Sequence, residues 1–160
     1  MTNLSVNVNK IAWLRNARGE NRPNLIEMSK ILIESGVHGL TVHPRPDLRH
    51  ITPDDVYDLS ILCADNKVEF NIEGNPYSEQ TKIYPGFLNL VKEIMPDQCT
   101  LVPDSPDQLT SDHGWEIQAK DHNAVRNIVE EIQTDKTRVS FFVDPNIAQI
   151  DAIKELGAKR

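Results

Sequence analysis

The chain has 160 residues, 39 % hydrophobic and 26 % charged, and its 17 Lys and Arg against 24 Asp and Glu leave a net charge of −7. That length holds a single domain with a sizeable core, and the apolar share excludes a disordered chain. The acidic balance argues against a general nucleic-acid binder, whose footprint is basic, yet leaves room for a local Arg/His cluster that takes a small anion.

Short strand-like runs alternate with longer helical ones. Leu4, Val6 and Val8 alternate with Ser5, Asn7 and Asn9, the period of a strand with one apolar face. Asn9 to Gly19 reads as a loop. Asn24 is a candidate N-cap for a helix carrying Leu25, Met28, Ile31 and Leu32 and stopped at Gly36. Gly39 to His43 reads as a second strand. Thr52-Pro53-Asp54-Asp55 offers a cap, a proline at the first helical position and acids in the first turn, opening a helix to about Ala64. Val68 to Glu73 makes a third strand, and a helix runs from Pro85 to about Ile94. A fourth strand spans Cys99 to Val102, followed by a helix around Asn123–Gln133. Arg138 to Val143 is the fifth strand, and Asp144-Pro145 opens a last helix with Ile147, Ile150, Ile153 and Leu156.

Five βα units in one domain, residues 1–160, imply an α/β fold with a mainly parallel sheet. An open doubly wound sheet and a section of a (β/α)8 TIM barrel compete. Asn9 to Arg22 contains one glycine, not the Gly-rich pyrophosphate loop of a nucleotide-binding open sheet. Polar residues gather at strand ends: Asn7 and Asn9, His43 and Arg45, Glu73, Asp104 and Asp144. In a barrel those ends share one rim, which favours the barrel section. Eight strands close such a barrel and five are legible, so the expectation is a truncated barrel.

Cys63 and Cys99 lie in apolar stretches without CxxC spacing, which suits a reducing compartment. The first ten residues lack the basic start and apolar core of a secretory signal, and no apolar run reaches the roughly eighteen residues of a membrane span. The expected location is cytoplasmic.

His43, Arg45, Arg49 and His50 place two imidazoles and two guanidiniums at one strand end and its loop. Such a set holds a phosphate, Arg through bidentate contacts and His through a proton near neutral pH. The competing reading is a solvated loop whose arginines pair with Asp47, Asp54 and Asp55. Glu73, at a partly enclosed rim, suits a proton acceptor with a raised pKa, or else a structural carboxylate paired to an arginine. Arg15 and Arg18 stand either as a second anion site or as surface residues. His43, His50 and Glu73 match a two-His, one-carboxylate metal set in composition, but no local ligand spacing such as HExxH accompanies them, and the reading is metal: none.

These segments resemble the pyridoxine 5′-phosphate synthase family. The likeness is carried by Val6-Asn7-Val8-Asn9 with Leu14-Arg15-Asn16-Ala17-Arg18-Gly19, by Gly39 to Arg45 with Arg49-His50-Ile51-Thr52, by Phe70-Asn71-Ile72-Glu73, by Leu101-Val102-Pro103-Asp104 with Leu109-Thr110, and by Val139 to Asp144. It runs in register along the chain, over the amino-terminal two-thirds or so of a family member. The resemblance implies a (β/α)8 barrel that condenses 3-amino-2-oxopropyl phosphate with 1-deoxy-D-xylulose 5-phosphate to pyridoxine 5′-phosphate, phosphate and water. It implies no cofactor, and it suggests a homo-oligomer.

By position, His43 and Glu73 resemble the family's acid/base residues. Asn7 and Arg18 resemble contacts to the amino-oxopropyl phosphate, and Arg45, His50 and Thr110 contacts to the deoxyxylulose phosphate. Asn9-Lys10 stands where many members have Asp-His, and Gly74–Pro85 is lengthened. Further site residues would lie beyond Arg160, so this stretch alone is expected to be inactive. Two other readings stand beside this one: another sugar-phosphate barrel enzyme, an aldolase or epimerase, for which Lys10 is the Schiff-base candidate, and a non-catalytic anion-binding fragment.

Overall fold

The computed structural model describes residues 2–118 and 120–160. Its strands are β1 (Ser5–Asn7), β2 (Gly39–Val42), β3 (Glu69–Gly74), β4 (Gln98–Leu101) and β5 (Arg138–Phe141). Its helices are α1 (Asn9–Arg18), α2 (Leu25–Glu34), α3 (Pro53–Asn66), α4 (Phe87–Ile94), α5 (His122–Ile132) and α6 (Ile147–Glu155).

Helix starts follow local chemistry. The Asn24 side chain accepts from the Glu27 amide at 3.0 Å, capping α2. Thr52 and Asp55 form a reciprocal capping box ahead of Pro53, the sharpest helix signal in the sequence. Two readings need correction. The stretch from Asn9 is helix α1, not a loop. It has no side-chain cap and no acid in its first turn, and its apolar residues Ile11 to Leu14 run consecutively instead of at helical spacing. The Val8 carbonyl, accepting from Ile11 and Ala12, starts it instead. The last helix is capped by Asn146, which accepts from the Ala148 amide at 3.0 Å, while the Asp144 carboxylate is taken by the Gly114 amide.

All five strands pair in parallel in the order β1-β2-β3-β4-β5. A doubly wound sheet reverses its order at a switch point and carries helices on both faces. Here the order never reverses, and crossovers of one hand place the helices on one side. Leu40, Val42, Phe70, Ile72, Cys99, Leu101 and Val139 are buried on that side with Leu59, Leu90, Val91 and Val129 from the helices.

The other face is polar. Ser5 meets Thr41 at 2.9 Å, Asn71 donates to Thr41 at 3.2 Å, and Thr100 donates to Asn71 at 3.0 Å. Gln98 donates to Thr100, and Arg138 to Gln98 at 2.9 Å. Thr41, Asn71, Gln98 and Thr100 are buried and find their partners within this row, as buried polar groups must. Two contacts skip a strand: Asn7 on β1 reaches Glu73 on β3 at 3.3 Å, and Arg138 on β5 pairs with Glu69 on β3. Strands two apart in a sheet lie about 9.6 Å from each other, so both contacts are made by side chains that lean across the intervening strand.

Candidate active site

Parallel strands end at the same side of a sheet, so the tails of β1 to β4 deliver their side chains to one mouth. At the end of β2 the His43 amide donates to the Asn9 side chain at 2.8 Å. The Tyr84 hydroxyl, from the lengthened loop between β3 and α4, donates to the Pro44 carbonyl at 3.2 Å. These two contacts from different elements fix the backbone on either side of the imidazole.

Arg45 is buried. Its guanidinium pairs with Asp104, just beyond β4, and donates to the Gln108 carbonyl at 2.7 Å. Arg49 donates to the Gln108 and Leu109 carbonyls, both at 3.1 Å, and pairs with Asp47. The basic segment after β2 is thus laced to the segment after β4. His50 lies edge-on to His43, ring centroids 6.1 Å apart. Its Nδ1 accepts from the Ile51 amide at 3.0 Å, so the neutral ring carries its proton on Nε2. Asn16 donates to the His50 carbonyl at 2.8 Å, a use for α1 that its side chains do not announce in sequence.

Glu73, the penultimate residue of β3, stands at the same mouth. Burial pushes its carboxyl up to about 7, and the nearby Asp104 charge adds to the shift. Burial takes the His43 ring the other way, down to about 3, helped by the positive charges of Arg45, His50 and Arg49. His50 falls to about 4 through burial and the same two arginines. Near neutral pH the mouth therefore presents a carboxyl that exchanges its proton readily beside two neutral imidazoles. A cavity of about 90 Å³ opens among His43, Arg45, Asn75, Ser78, Asp104 and Pro106. A larger hollow of about 810 Å³ lies at the opposite, amino-terminal end of the strands, among His38, Lys67, Glu69, Asp97 and Arg138, away from these groups.

Of the residues singled out in the sequence, Asn7, His43, Arg45, His50 and Glu73 come together at this mouth. Thr110 is exposed on the neighbouring segment, between Leu109, whose carbonyl takes Arg49, and Ser111, whose hydroxyl donates to Asp104 at 2.9 Å. Arg18 is exposed at the far end of α1, roughly 13 Å along the helix axis from Asn9. Arg15 is committed to Asp55, at 2.8 Å through Nη2, and to the His50 carbonyl. Lys10 places its ammonium over the Trp13 ring, 5.8 Å from the centroid. Among the described residues, no group of three or more His, Cys, Asp or Glu is arranged to hold a metal ion, and no helix is long and apolar enough to cross a membrane. Asp104 was legible only as one rim acid among several. Its partners, Arg45 and His43, lie some sixty positions earlier and carry no local signal.

The fold and this cluster define a parallel α/β chain with acid–base side chains gathered at the carboxyl ends of its strands. The chain belongs to the family described as pyridoxal phosphate biosynthesis protein PdxJ, whose model matches residues 4–160. A pyridoxine 5′-phosphate synthase of Xylella fastidiosa (strain 9a5c) is 52 % identical over 146 residues, covering 91 % of this chain and 56 % of that protein. One from Xanthomonas campestris pv. campestris (strain B100) is 50 % identical over 159 residues, covering 99 % of this chain and 62 % of that protein. The chain spans about three fifths of the length of these relatives, somewhat less than the two-thirds expected from sequence. Among solved structures, a β-mannanase from Thermomonospora fusca superposes with a TM-score of 0.44 at 13 % identity, covering 98 % of this chain and 64 % of that one, a likeness too loose to bear on fold or function.

Proposed function

We propose that this chain forms the first five βα units of a (β/α)8-barrel pyridoxine 5′-phosphate synthase. It would condense 3-amino-2-oxopropyl phosphate with 1-deoxy-D-xylulose 5-phosphate to pyridoxine 5′-phosphate, phosphate and water. Family membership supports the reaction, and a parallel sheet whose strand order never reverses supports the barrel. The observation that carries the chemistry is Glu73, a carboxyl raised to about 7 at the strand tails within hydrogen-bond reach of Asn7.

Imine formation, dehydration and ring closure each need a proton moved at a defined atom. A carboxyl that titrates near working pH both gives and takes protons efficiently. Glu73 fills that role, with the neutral His43 ring as its complement. His50, holding its proton on Nε2, donates to a phosphate or hydroxyl of the deoxyxylulose phosphate, beside Arg45 and Thr110. Asn7 and Arg18 contact the amino-oxopropyl phosphate. The chemistry uses no cofactor, and the protein works as a cytoplasmic homo-oligomer.

The test is to supply both phosphates to the full-length protein and follow pyridoxine 5′-phosphate by chromatography and mass. Wild type forms it, and Glu73→Gln slows turnover by about 10²- to 10⁴-fold, the usual worth of a general acid–base group. Undiminished turnover in that variant removes Glu73 from the mechanism, and no product from wild type removes the reaction.

A further inference from the structure

Asp104 stands outside every role assigned above, yet it joins the two basic groups of the mouth. It is 6 % exposed, and its own carbonyl is held by the Asn75 side chain at 2.6 Å. Its Oδ2 gathers the Arg45 guanidinium and the Ser111 hydroxyl, and lies 3.5 Å from His43 Nε2. Its Oδ1 is buried without a hydrogen-bond partner among the described residues. We infer that Asp104 is the positioning residue of His43, holding the ring so that Nε2 carries the proton and Nδ1 keeps the free lone pair.

Charge and lone pairs decide the tautomer, given the acid–base role proposed above for His43. A neutral imidazole has one N–H and one lone pair. The nitrogen facing a carboxylate must be the one that bears hydrogen, because a lone pair there would repel the oxygens. Asp104 alone would also draw a second proton onto the ring. Arg45, in contact with the same oxygen, balances the carboxylate charge, and Arg49 and His50 add to the positive side. The arrangement therefore orients the ring without charging it. Asp47 is the other acid near the ring, and it is paired with Arg49. The 3.5 Å separation is long for a hydrogen bond, and catalytic contacts of this kind tighten when substrate binds. Among the described residues no hydrogen bond occupies His43 Nδ1, which leaves that nitrogen available to take a proton from a bound molecule.

The experiment is a two-bond ¹H–¹⁵N spectrum of the histidine-labelled full-length protein near neutral pH, with His43→Asn to assign the signal. The expected spectrum has His43 as the Nε2–H tautomer. Asp104→Asn, whose amide can present either a donor or an acceptor, moves the ring to a mixture or to Nδ1–H and lowers kcat about tenfold or more, with a smaller change in KM. Asp104→Glu restores the tautomer and part of kcat. A wild-type ring in the Nδ1–H form overturns the proposal, as does a folded Asp104→Asn protein that retains the Nε2–H form. If Asp104→Asn does not fold, the wild-type and Asp104→Glu spectra decide the matter. The tautomer is read without turnover, so an Nε2–H ring in a protein that makes no pyridoxine 5′-phosphate upholds the positioning and overturns only the substrates.

Discussion

The Asn7 side-chain amide on β1 donates to the Glu73 carboxylate on β3 at 3.3 Å, passing over the whole of β2. That contact works against the burial that raises Glu73. An N–H donated to a carboxylate favours the charged form. Asn7→Ala should therefore raise the Glu73 midpoint further above about 7. The expected change is about half a unit to one unit, less than the roughly one to two units that a well-formed hydrogen bond to a charged group gives at about 1.4 kcal/mol per unit, because this contact is long and exposed. Carboxyl ¹³C titration reads it, and an unmoved or lowered midpoint refutes it.

Glu73 also governs stability on the alkaline side. Its folded pKa, about 7, lies above the ordinary value of 4.5, so between those two limits the folded chain binds more protons than the unfolded one. Stability then falls as pH rises through that window and stays lowered above it. Glu73→Gln, which carries no charge to bury, should melt at a higher temperature than wild type at pH 8 and at much the same temperature at pH 4.5. Melting curves of both proteins at the two pH values check this. Equal melting temperatures at the alkaline pH would show that Glu73 ionises there at little cost.

The imidazoles act on the acid side with the opposite slope. His43 at about 3 and His50 at about 4 both lie below their ordinary 6.5, because burial and neighbouring arginines resist a further positive charge. The unfolded chain therefore takes up protons first as pH falls below 6.5, and the fold loses stability progressively toward pH 3 to 4. Replacing His50 with Gln, which does not titrate, should move the acid-unfolding midpoint downward, and His43→Gln should move it further. Circular dichroism followed from pH 7 to pH 2 measures both. A midpoint that rises in either variant contradicts the argument.

Much of this architecture was open to inspection in the sequence, for reasons that can be named. Strands were visible because one face is apolar and the other polar, so Leu40 and Val42 alternate with Thr41 and His43. Helices α2 and α3 were visible because Asn24 and Thr52 cap them through side chains. Helix α1 was not, because its N-cap residue, Val8, has no side-chain acceptor and its apolar residues lack spacing. His43, Arg45 and Glu73 were legible as a site because parallel strands end on the same side, which makes polar strand tails neighbours by topology. Thr110 entered through family resemblance alone, since it lies on no strand tail, whereas Arg18 was visible only as one of two arginines that suit either a second anion site or the surface. The pairing of Asp104 with Arg45, and the brace from Tyr84 to Pro44, join residues 59 and 40 positions apart and leave no trace in any local pattern.

Gly114 offers the sharpest test of how the segment carrying Thr110 and Ser111 is fastened. A Cβ there would lie 2.3 Å from the Asp144 amide nitrogen and 2.5 Å from Val143 Cα, both backbone atoms that cannot swing aside. The close approach lets the Gly114 amide donate to the Asp144 carboxylate at 3.1 Å. It also seats Trp115, whose amide reaches the Phe142 carbonyl and whose indole N–H reaches the Leu101 carbonyl, both at 2.9 Å. Gly114→Ala must push the segment off the ends of β4 and β5. Overpacking of this kind costs about 1–3 kcal/mol, which for a chain of this size lowers Tm by roughly 3–10 °C. Trp115 lies edge-on to Phe141, ring centroids 6.0 Å apart, so its emission should shift toward the red as the contact opens. Recording it in a Trp13→Phe background removes the other, exposed indole. Because Ser111 and Thr110 ride on the same segment, KM for the deoxyxylulose phosphate of the proposed reaction should rise more than kcat falls. A Gly114→Ala protein with wild-type Tm and emission would mean that the segment is not held at this point.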